Sequence, residues 1–350
     1  MTSSEPCYPY LLEPKETPAI WGGDALVARY GKHAAPGSLI GESWECWDAN
    51  RVANGAFAGA TLAGLRSSLG ARLMGTLDPA AMFPILTKLI DARQPLSVQV
   101  HPDDAYARRI EGQPNGKTEC WFILEAQPGA EIVLGWTRAT ERAEFERRVA
   151  DGSLGDILRR VPVQAGDVFY LPAGTVHAIG AGIVLFEVQQ ASDLTYRIFD
   201  WNRVGADGKS RELHVAKAAD VLDFSAAQPT AVQPLVFGDG DVKRRLLIAD
   251  SRFLVERVTF GIRGGSLATD GLPLAVMAVG SPLRVQADRA TLELAPYATA
   301  LTPASVASLA FSGGDALVAR PQPNLASVTR AARDAFVPQK EIDAFLRQFV

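Results

Sequence analysis

Short alternations of apolar and polar residues dominate the chain and predict a mainly β protein. Residues 97–101, 167–171 and 183–189 each alternate with a period of two, which is typical of strands with one buried face. Glycine, proline, aspartate or asparagine residues separate these runs. Because the predicted strands are short and regularly spaced, the pattern favours a sandwich or a barrel over a parallel sheet.

Helical periodicity is limited to a few segments. Residues 140–150 (TERAEFERRVA) carry apolar side chains four positions apart on a charged background, and residues 156–160 extend the pattern by a second turn. Together they predict a small helical insertion at about residues 137–161. Residues 103–111 predict another short helix, whereas residues 341–349 fit a helix or a strand equally well.

The length of 350 residues suits two domains rather than one. A less patterned stretch, residues 216–241, is rich in Ala, Gln, Pro and Asp, and we interpret it as the link to a second strand-rich region at about 242–320. We therefore predict an N-terminal catalytic domain over residues 1–225 and a C-terminal β domain over residues 226–350. Two successive strand-rich halves would fit a duplicated barrel.

Charge and cysteine content narrow the cellular setting. The net charge is −4 and the chain has no block rich in Lys and Arg, so nucleic-acid binding is not predicted. The three cysteines, Cys7, Cys46 and Cys120, contain no CxxC pair and fit reduced thiols. No apolar run approaches the ~18 residues of a membrane span, and residues 1–10 lack the pattern of a signal peptide. We expect a cytoplasmic protein without a membrane partner.

Two short segments place candidate metal ligands on strands. Gln99 and His101 are two residues apart and point to the same face of their strand, although an exposed edge strand would explain this pair as well. The segment GDVFYLPAGTVH ends at His177 and has the spacing of the second cupin motif. Its Pro172 and Gly174 predict a tight turn that sends His177 into the returning strand, facing inward.

A carboxylate completes the candidate ligand set. Glu119, in the segment NGKTECW, is the candidate anionic ligand beside the amide of Gln99 and the two imidazoles. An amide oxygen, two imidazoles and a carboxylate suit Zn²⁺ with an open coordination position, and iron or manganese would also accept them. The neighbouring Gly116-Lys117-Thr118 is not a phosphate-binding P-loop, because Glu111 stands where its first glycine would be.

Four motifs extend the resemblance from the cupin superfamily to one family within it. The order and spacing of the motifs resemble those of the type I mannose-6-phosphate isomerases, and the motifs are SVQVHPDD, GKTECW, PAGTVH and QASDLTYR. Two further segments, WGG and GESWE, look like the N-terminal pieces of that family. The chain resembles the short bacterial members over about residues 10–215. The resemblance implies two cupin-type jelly-roll barrels, of which the second, without histidine, is expected to be structural. It also implies that mannose 6-phosphate and fructose 6-phosphate are interconverted through a cis-enediol.

The resemblance further implies a role for each matched residue. One Zn²⁺ per chain would be held by Gln99, His101, Glu119 and His177. The catalytic groups would be Arg197, Lys117, Glu187 and Asp193, and the substrate contacts Lys88, Trp21, Glu42 and Arg203.

Within these sets the roles are unequal. Arg197 would stabilise an enediolate oxygen, with Asp193 supporting it. Lys117 and Glu187 are alternative bases for the carbon-bound proton, and the sequence does not rank them. Lys88 is the first candidate for contact with the substrate, including its phosphate, and Arg203 the second.

Two other functions remain open on the sequence. A metal-dependent cupin dioxygenase would use similar ligands, and a sugar-phosphate-binding cupin would keep the pocket without turnover. Gln99 and the cationic residues Lys88, Lys117 and Arg197 favour the isomerase over the dioxygenase. Lys88 could also be a solvated cation on an amphipathic segment. Family resemblance favours a monomer whose partner is a small sugar phosphate.

Overall fold

Antiparallel strands form four sheets of eight, six, five and four strands. The computed structural model describes residues 7–201, 203–204, 208–227, 229–288 and 290–349. The strands, in chain order, are β1 (Tyr10–Glu13), β2 (Lys15–Gly23), β3 (Ile40–Cys46), β4 (Arg51–Val52), β5 (Ile85–Ala92), β6 (Val98–Val100), β7 (Glu119–Ala126), β8 (Glu131–Trp136), β9 (Leu158–Pro162), β10 (Val168–Leu171), β11 (His177–Ile179), β12 (Ile183–Gln190), β13 (Tyr196–Phe199), β14 (Leu235–Asp239), β15 (Val242–Ala249), β16 (Phe253–Phe260), β17 (Gly265–Ala268), β18 (Leu274–Val279), β19 (Leu283–Ala287), β20 (Ala290–Leu294), β21 (Thr299–Thr302), β22 (Ser308–Ser312) and β23 (Gly314–Pro321).

Helices are short and lie outside the sheets. They are α1 (Ala25–Arg29), α2 (Leu62–Leu69), α3 (Ala71–Met74), α4 (Asp104–Tyr106), α5 (Arg142–Asp151), α6 (Val215–Val221), α7 (Leu325–Asp334) and α8 (Gln339–Leu346), with a π-helical turn at Ala107–Glu111 and 3₁₀ turns at Gly55–Phe57, Leu154–Ile157 and Arg347–Phe349. Among the described residues, no helix has both the length and the apolar character needed to cross a bilayer.

The first barrel consists of two facing sheets. The six-stranded sheet has the order β10-β7-β12-β5-β3-β2, and the five-stranded sheet has the order β13-β6-β11-β8-β9. Apolar side chains such as Ile123, Leu134, Phe169 and Leu185 fill part of its interior as one cluster. The polar residues described below occupy the remaining part of the interior, which leaves a cavity there.

The six-stranded sheet is buried on both faces. Its outer side chains, including Phe122, Phe186 and Val188, pack against the second half of the chain in the largest apolar cluster. This explains why all eight residues of β5 and all eight of β12 are buried. The five-stranded sheet is covered instead by α5 and α6, through contacts such as Phe145 with Trp136.

The second barrel is formed by the eight-stranded sheet, β14-β15-β16-β23-β18-β21-β1-β4, and the four-stranded sheet, β17-β22-β19-β20. Its interior is apolar and includes Val258, Phe260, Val276 and Phe311. The N-terminal strand β1 joins this sheet by pairing with β21.

The mainly β fold and the small helical insertion are confirmed. The strands predicted at 97–101, 167–171 and 183–189 correspond to β6, β10 and β12, and α5 forms the insertion. The helical turn predicted at 156–160 is wrong. A 3₁₀ turn ends at Ile157 and strand β9 follows, because these residues pair with β8 along the edge of the five-stranded sheet.

Other segments are now assigned. The prediction of a helix over residues 103–111 is confirmed as α4 followed by a π-helical turn, with the Asp103 carboxylate accepting from the Tyr106 N–H at 2.7 Å. The C-terminal segment is helical, as Ile342 and Phe345 are both buried on one side of α8. The stretch interpreted as a link contains α6 and β14.

Candidate active site and metal centre

Two imidazoles and one carboxylate converge inside the first barrel. Ligand atoms of His101, Glu119 and His177 all lie within 4.8 Å of one another, and the three residues are fully buried. Glu119 Oε2 is 3.4 Å from His101 Nε2, and Glu119 Oε1 is 3.3 Å from His177 Nε2. The carboxylate therefore lies between the two rings, as a shared coordination site requires.

The backbone fixes this arrangement. His177 stands opposite Gln99 in the pairing of β11 with β6, so both point to the same interior. The turn before His177 contains Gly174, whose φ of +87° requires glycine. The Gly174 N–H donates to the His101 carbonyl at 2.9 Å, which holds the turn beside the other imidazole.

The outward nitrogen of each ring determines what the inward nitrogen can do. His101 Nδ1 lies 2.8 Å from the Leu194 carbonyl oxygen, and His177 Nδ1 lies 2.9 Å from the Thr175 carbonyl oxygen. A carbonyl only accepts, so Nδ1 carries the hydrogen in both rings and Nε2 presents a lone pair toward Glu119. Such acceptors repel each other unless a positive charge lies between them.

Protonation of the imidazoles does not supply that charge. Burial, and then the nearby Lys117 ammonium, lowers the pKa of His101 to about 3, and burial also lowers the pKa of His177. Burial opposes ionisation of Glu119, yet Lys117 and the imidazoles hold the pKa of this carboxylate well below its usual range. Two neutral imidazoles facing an ionised carboxylate are the protonation states that a metal cation requires.

Unsatisfied atoms at the centre also fit a bound cation. Both carboxylate oxygens of Glu119 and His177 Nε2 are buried without a hydrogen-bond partner within the described residues. Lys117 Nζ is 2.9 Å from Glu119 Oε2 as an ion pair, in a direction that makes no hydrogen bond, and 3.1 Å from His101 Nε2. Gln99 lines the adjoining cavity and offers an amide oxygen. These donor types fit zinc.

A buried lysine lies between two carboxylates on the neighbouring strands. Lys88 Nζ is 3.3 Å from Glu187 Oε2, 3.5 Å from Glu42 Oε2 and 5.0 Å from the centre of the Trp44 ring. The pairing of β5 with β12 and β3 creates this contact, since Lys88 stands opposite both Glu187 and Trp44. Lys88 is thus not a solvated cation.

The buried charged groups around Lys88 shift one another's pKa values. Burial disfavours the charged form of Lys88, but Glu42 and Glu187 outweigh it and raise the pKa of this lysine. Burial, together with the negative charge of Glu119, raises the pKa of Glu187. The Trp121 indole N–H donates to Glu187 Oε1 at 3.1 Å, while Oε2 is buried without a hydrogen-bond partner among the described residues.

Three guanidinium groups gather near Ser97 and Asp200, and one of them, Arg197, stands opposite Gln99 in the pairing of β13 with β6. Arg197 donates to Ser97 Oγ at 3.3 Å and to a backbone carbonyl at 3.0 Å. The buried Asp200 carboxylate bonds both Arg203 and Arg211, the latter at 2.6 and 2.7 Å. Burial and the nearby charge of Arg211 lower the pKa of Arg197. The carboxylates of Asp200 and Glu212 therefore stand against three arginines, which leaves an excess of one positive charge.

The cavity has a volume of about 310 Å³ and collects most of the predicted residues. Its walls include Trp21, Glu42, Lys88, Gln99, Lys117, Glu187, Asp193 and Arg197. The metal-centre residues adjoin it through Lys117. Arg203 is bonded to Asp200 behind the wall. Within the described residues, no hydrogen bond or ion pair joins Asp193 to Arg197. Asp193 therefore does not support Arg197 by the direct contact that the sequence had suggested.

Several lining residues were not predicted. Ser97 lies on the same strand face as Gln99, two positions earlier, so the period of two could have indicated it. No periodic signal in the sequence marks Arg211. Ile179 and Thr195 also line the cavity.

A barrel that holds two neutral imidazoles and a carboxylate inside defines a metal-binding enzyme of the cupin class. A sequence profile for the catalytic domain of type I phosphomannose isomerases matches residues 11–122. Over 220 residues the chain is 44% identical to the mannose-6-phosphate isomerase ManA of Bacillus subtilis, covering 61% of this chain and 68% of that protein. The chain belongs to the type I phosphomannose isomerase family.

Solved structures agree with this assignment. The mannose 6-phosphate isomerase from Bacillus subtilis superimposes with a TM-score of 0.82 at 30% identity, covering 89% of this chain and 99% of that chain. A zinc-bound holo structure of a mannose 6-phosphate isomerase shares the fold with a TM-score of 0.70 at 16% identity, covering 90% of this chain and 100% of that chain.

Proposed function

We propose that the chain interconverts mannose 6-phosphate and fructose 6-phosphate by metal-assisted proton transfer through a cis-enediol. The observation that carries this proposal is a single cavity that adjoins the candidate cation site through Lys117 and is lined by Arg197, Arg211 and the acid–base groups Lys117 and Glu187. A phosphorylated sugar that isomerises at C1 and C2 needs a cation site, acid–base groups and a cationic anchor for its phosphate.

We place the phosphate at Arg211. This residue lines the cavity and shares the single carboxylate of Asp200 with Arg203, so one negative charge faces two guanidinium groups. Planar guanidinium groups bind phosphate oxygens in pairs. Lys88, in contrast, is already flanked by two carboxylates, so we place it near the reacting carbons rather than at the phosphate.

We infer that Gln99, His101, Glu119 and His177 hold one Zn²⁺ per chain. Zinc suits this donor set, and the fold relative described above holds zinc. When bound, zinc supplies Lewis-acid polarisation of the substrate oxygens. Because the metal ligands are deprotonated before binding, little proton release should accompany loading near neutral pH.

Glu187 is our candidate for the carbon base. Its raised pKa brings it closer to the operating pH, and its Oε2 is the oxygen without a hydrogen bond. Lys117, beside Glu119, is positioned to exchange a proton with a sugar hydroxyl bound at the metal end. Arg197 is fixed in charge and can stabilise a developing oxyanion. The role of Asp193, which lines the cavity, stays a prediction.

The proposal is tested by following fructose 6-phosphate formation from mannose 6-phosphate. Purified protein would be compared as isolated, after chelation, and after reloading with Zn²⁺. Turnover should disappear on chelation and return with zinc. Sugar-phosphate binding without turnover in folded, zinc-loaded protein would favour a binding cupin, and oxygen consumption would favour a dioxygenase.

We further propose a cytoplasmic monomer that binds a small sugar phosphate and neither nucleic acid nor membrane. Cys46 and Cys120 are buried free thiols, which fits a reducing compartment. Light scattering of the purified chain tests the monomer directly, because a dimer would double the measured mass.

A further inference from the structure

Residues 116–118 carry Lys117 to the metal centre, but they precede strand β7, which begins at Glu119. Glu119 itself is held on both sides, because β7 pairs there with Leu171 of β10 and with Gln189 of β12. Residues 116–118 belong to no strand or helix of the described chain. The three N–H groups of this segment therefore need partners from elsewhere in the protein.

Gln190 and Asp104 supply two of those partners. Gln190 Oε1 accepts from the Thr118 N–H at 2.9 Å, and Gln190 Nε2 donates to Asp104 Oδ1 at 2.9 Å. The same Asp104 oxygen accepts from the Gly116 N–H at 2.8 Å. The middle N–H of the segment donates to a backbone carbonyl at 3.0 Å. All three N–H groups are thus bonded, and the outer two depend on one pair of side chains.

The amide of Gln190 is held in one orientation by these bonds. Gln190 is 5% exposed, ends β12 and does not line the active-site cavity. A backbone N–H needs the amide oxygen and the Asp104 carboxylate needs the amide nitrogen, so the amide cannot turn over without losing both bonds. Gly116 fits closely as well, since a Cβ there would lie 2.4 Å from the Pro102 carbonyl oxygen.

The position of Lys117 depends on this segment. Lys117 Nζ lies 2.9 Å from Glu119 Oε2 and 3.1 Å from His101 Nε2, at the end of a side chain whose base lies in residues 116–118. A displacement of about 1 Å in a catalytic group costs about 10²-fold in rate. A shift of residues 116–118 would move the lysine, whereas the ladder of β7 would keep Glu119 in place.

We propose that Gln190 is a positioning residue for Lys117. The inference rests on the proposed function, because it takes Lys117 to be one of the proton-transferring groups of the isomerase. Among the described residues, no hydrogen bond joins the Gln190 side chain to a candidate metal ligand or to a group that lines the cavity. Gln190 acts through the backbone on either side of Lys117. It should therefore affect the rate of turnover rather than the binding of zinc or of the sugar phosphate.

Gln190→Glu tests the side-chain pair directly. The new carboxylate still accepts from the Thr118 N–H, but it has no hydrogen to donate and faces the Asp104 carboxylate. In zinc-loaded full-length protein, kcat for mannose 6-phosphate should fall about ten-fold or more, while KM changes less than about two-fold and the zinc content stays at the wild-type level. Gln113→Glu is the matched control, since Gln113 is exposed in the same loop and should keep the wild-type kcat.

Asp104→Asn in the Gln190→Glu background separates positioning from general destabilisation. An amide at position 104 offers an oxygen to the Gly116 N–H and a nitrogen to the carboxylate at position 190, so kcat should recover at least about five-fold. A merely structural role would lower the urea midpoint of Gln190→Glu and leave kcat per zinc-loaded chain unchanged. That result, a loss of zinc that accounts for the lost turnover, or a loss of kcat that the double variant does not recover would overturn the inference.

Hydrogen exchange distinguishes a failure of this inference from a failure of the proposed function. In Gln190→Leu, which removes both side-chain bonds, the amides of residues 112–118 should exchange faster than in the wild type, whereas those of residues 119–126 should keep their rates. Absence of wild-type turnover would refute the isomerase function, and the exchange rates would still report the anchoring. Unchanged exchange in residues 112–118 would overturn the anchoring by Gln190 even where wild-type turnover is normal.

Discussion

Lys32 and Glu45 form a buried ion pair in the N-terminal half of the chain, where this half contacts the second barrel. Lys32 Nζ lies 2.8 and 2.9 Å from the two oxygens of Glu45, and both side chains are at most 3% exposed. Ser43 Oγ donates to Glu45 at 2.6 Å, and Thr299 Oγ1 lies 3.2 Å from the same carboxylate. Lys32 also donates to the Tyr297 carbonyl at 2.8 Å. The pair therefore joins the N-terminal segment to the second barrel.

Lys32→Met removes the ammonium and keeps most of the side-chain volume. It leaves the Glu45 carboxylate buried with only two hydroxyl donors, and breaking a buried pair in this way costs about 3–5 kcal/mol in the free energy of unfolding. The denaturant slope grows with chain size and is at least about 2–3 kcal/mol per molar urea here. The urea midpoint should therefore fall by about 1–2 M, measured by tryptophan fluorescence.

Two variants check the physical cause. Arg29→Met breaks an exposed pair with Glu125, whose side chains are 52% and 42% exposed, and should cost less than about 1 kcal/mol. The double variant Lys32→Met/Glu45→Gln also removes the unpaired buried charge of Glu45 and should recover part of the lost stability. If Lys32→Met shifts the midpoint no more than Arg29→Met does, the argument from buried charge is refuted.

Four further predictions concern the active site. His101→Ala should lose both bound metal, by mass spectrometry, and turnover; full metal content would exclude His101 as a ligand. Arg197→Ala should keep the metal and lose turnover, so retained turnover would contradict its role at the oxyanion. Arg211→Ala should raise KM for mannose 6-phosphate about ten-fold or more with a smaller change in kcat, whereas an unchanged KM would remove Arg211 from the phosphate end. Glu187→Gln should lower kcat about 10²–10⁴-fold. The pKa of Glu187 is raised, so as pH falls its ionised, basic form is lost earlier than that of an ordinary glutamate. The acid limb of the wild-type kcat profile should therefore lie above the ordinary glutamate range, and it should be absent from any residual activity of Glu187→Gln. An unchanged limb would assign the base elsewhere.

The faces of strands could be read from the sequence, and this predicted that the candidate metal ligands Gln99, His101 and His177 point into the barrel. Gln99 and His101 share a face because they are two apart on one strand, and the Pro-x-Gly turn sends His177 inward. The environment of Lys88 could not be predicted in the same way. Its two carboxylate partners come from β3 and β12, and only the long-range register of three strands brings them together.

Two further features could not be predicted from the sequence: the contact of Arg211 with Asp200 and the strand structure of residues 158–160. Arg211 bonds Asp200, but no periodic pattern in the sequence indicates that these two side chains converge. Residues 156–160 have helical character on their own, but pairing of β9 with β8 satisfies their backbone along a sheet edge and overrides the local preference.

The second barrel has a physical reason to be retained even though its described residues form no cluster of candidate metal ligands. Successive residues of a strand point to opposite faces, so each inward functional residue has an outward neighbour. Glu119 precedes Cys120, and Glu187 precedes Val188; both outward side chains are buried in the apolar cluster that the second half of the chain completes. A strand packed on both sides cannot tilt or slide without disrupting that cluster. The second barrel therefore holds Glu119 and Glu187 in position from behind, which is the rigidity that a preorganised metal centre requires.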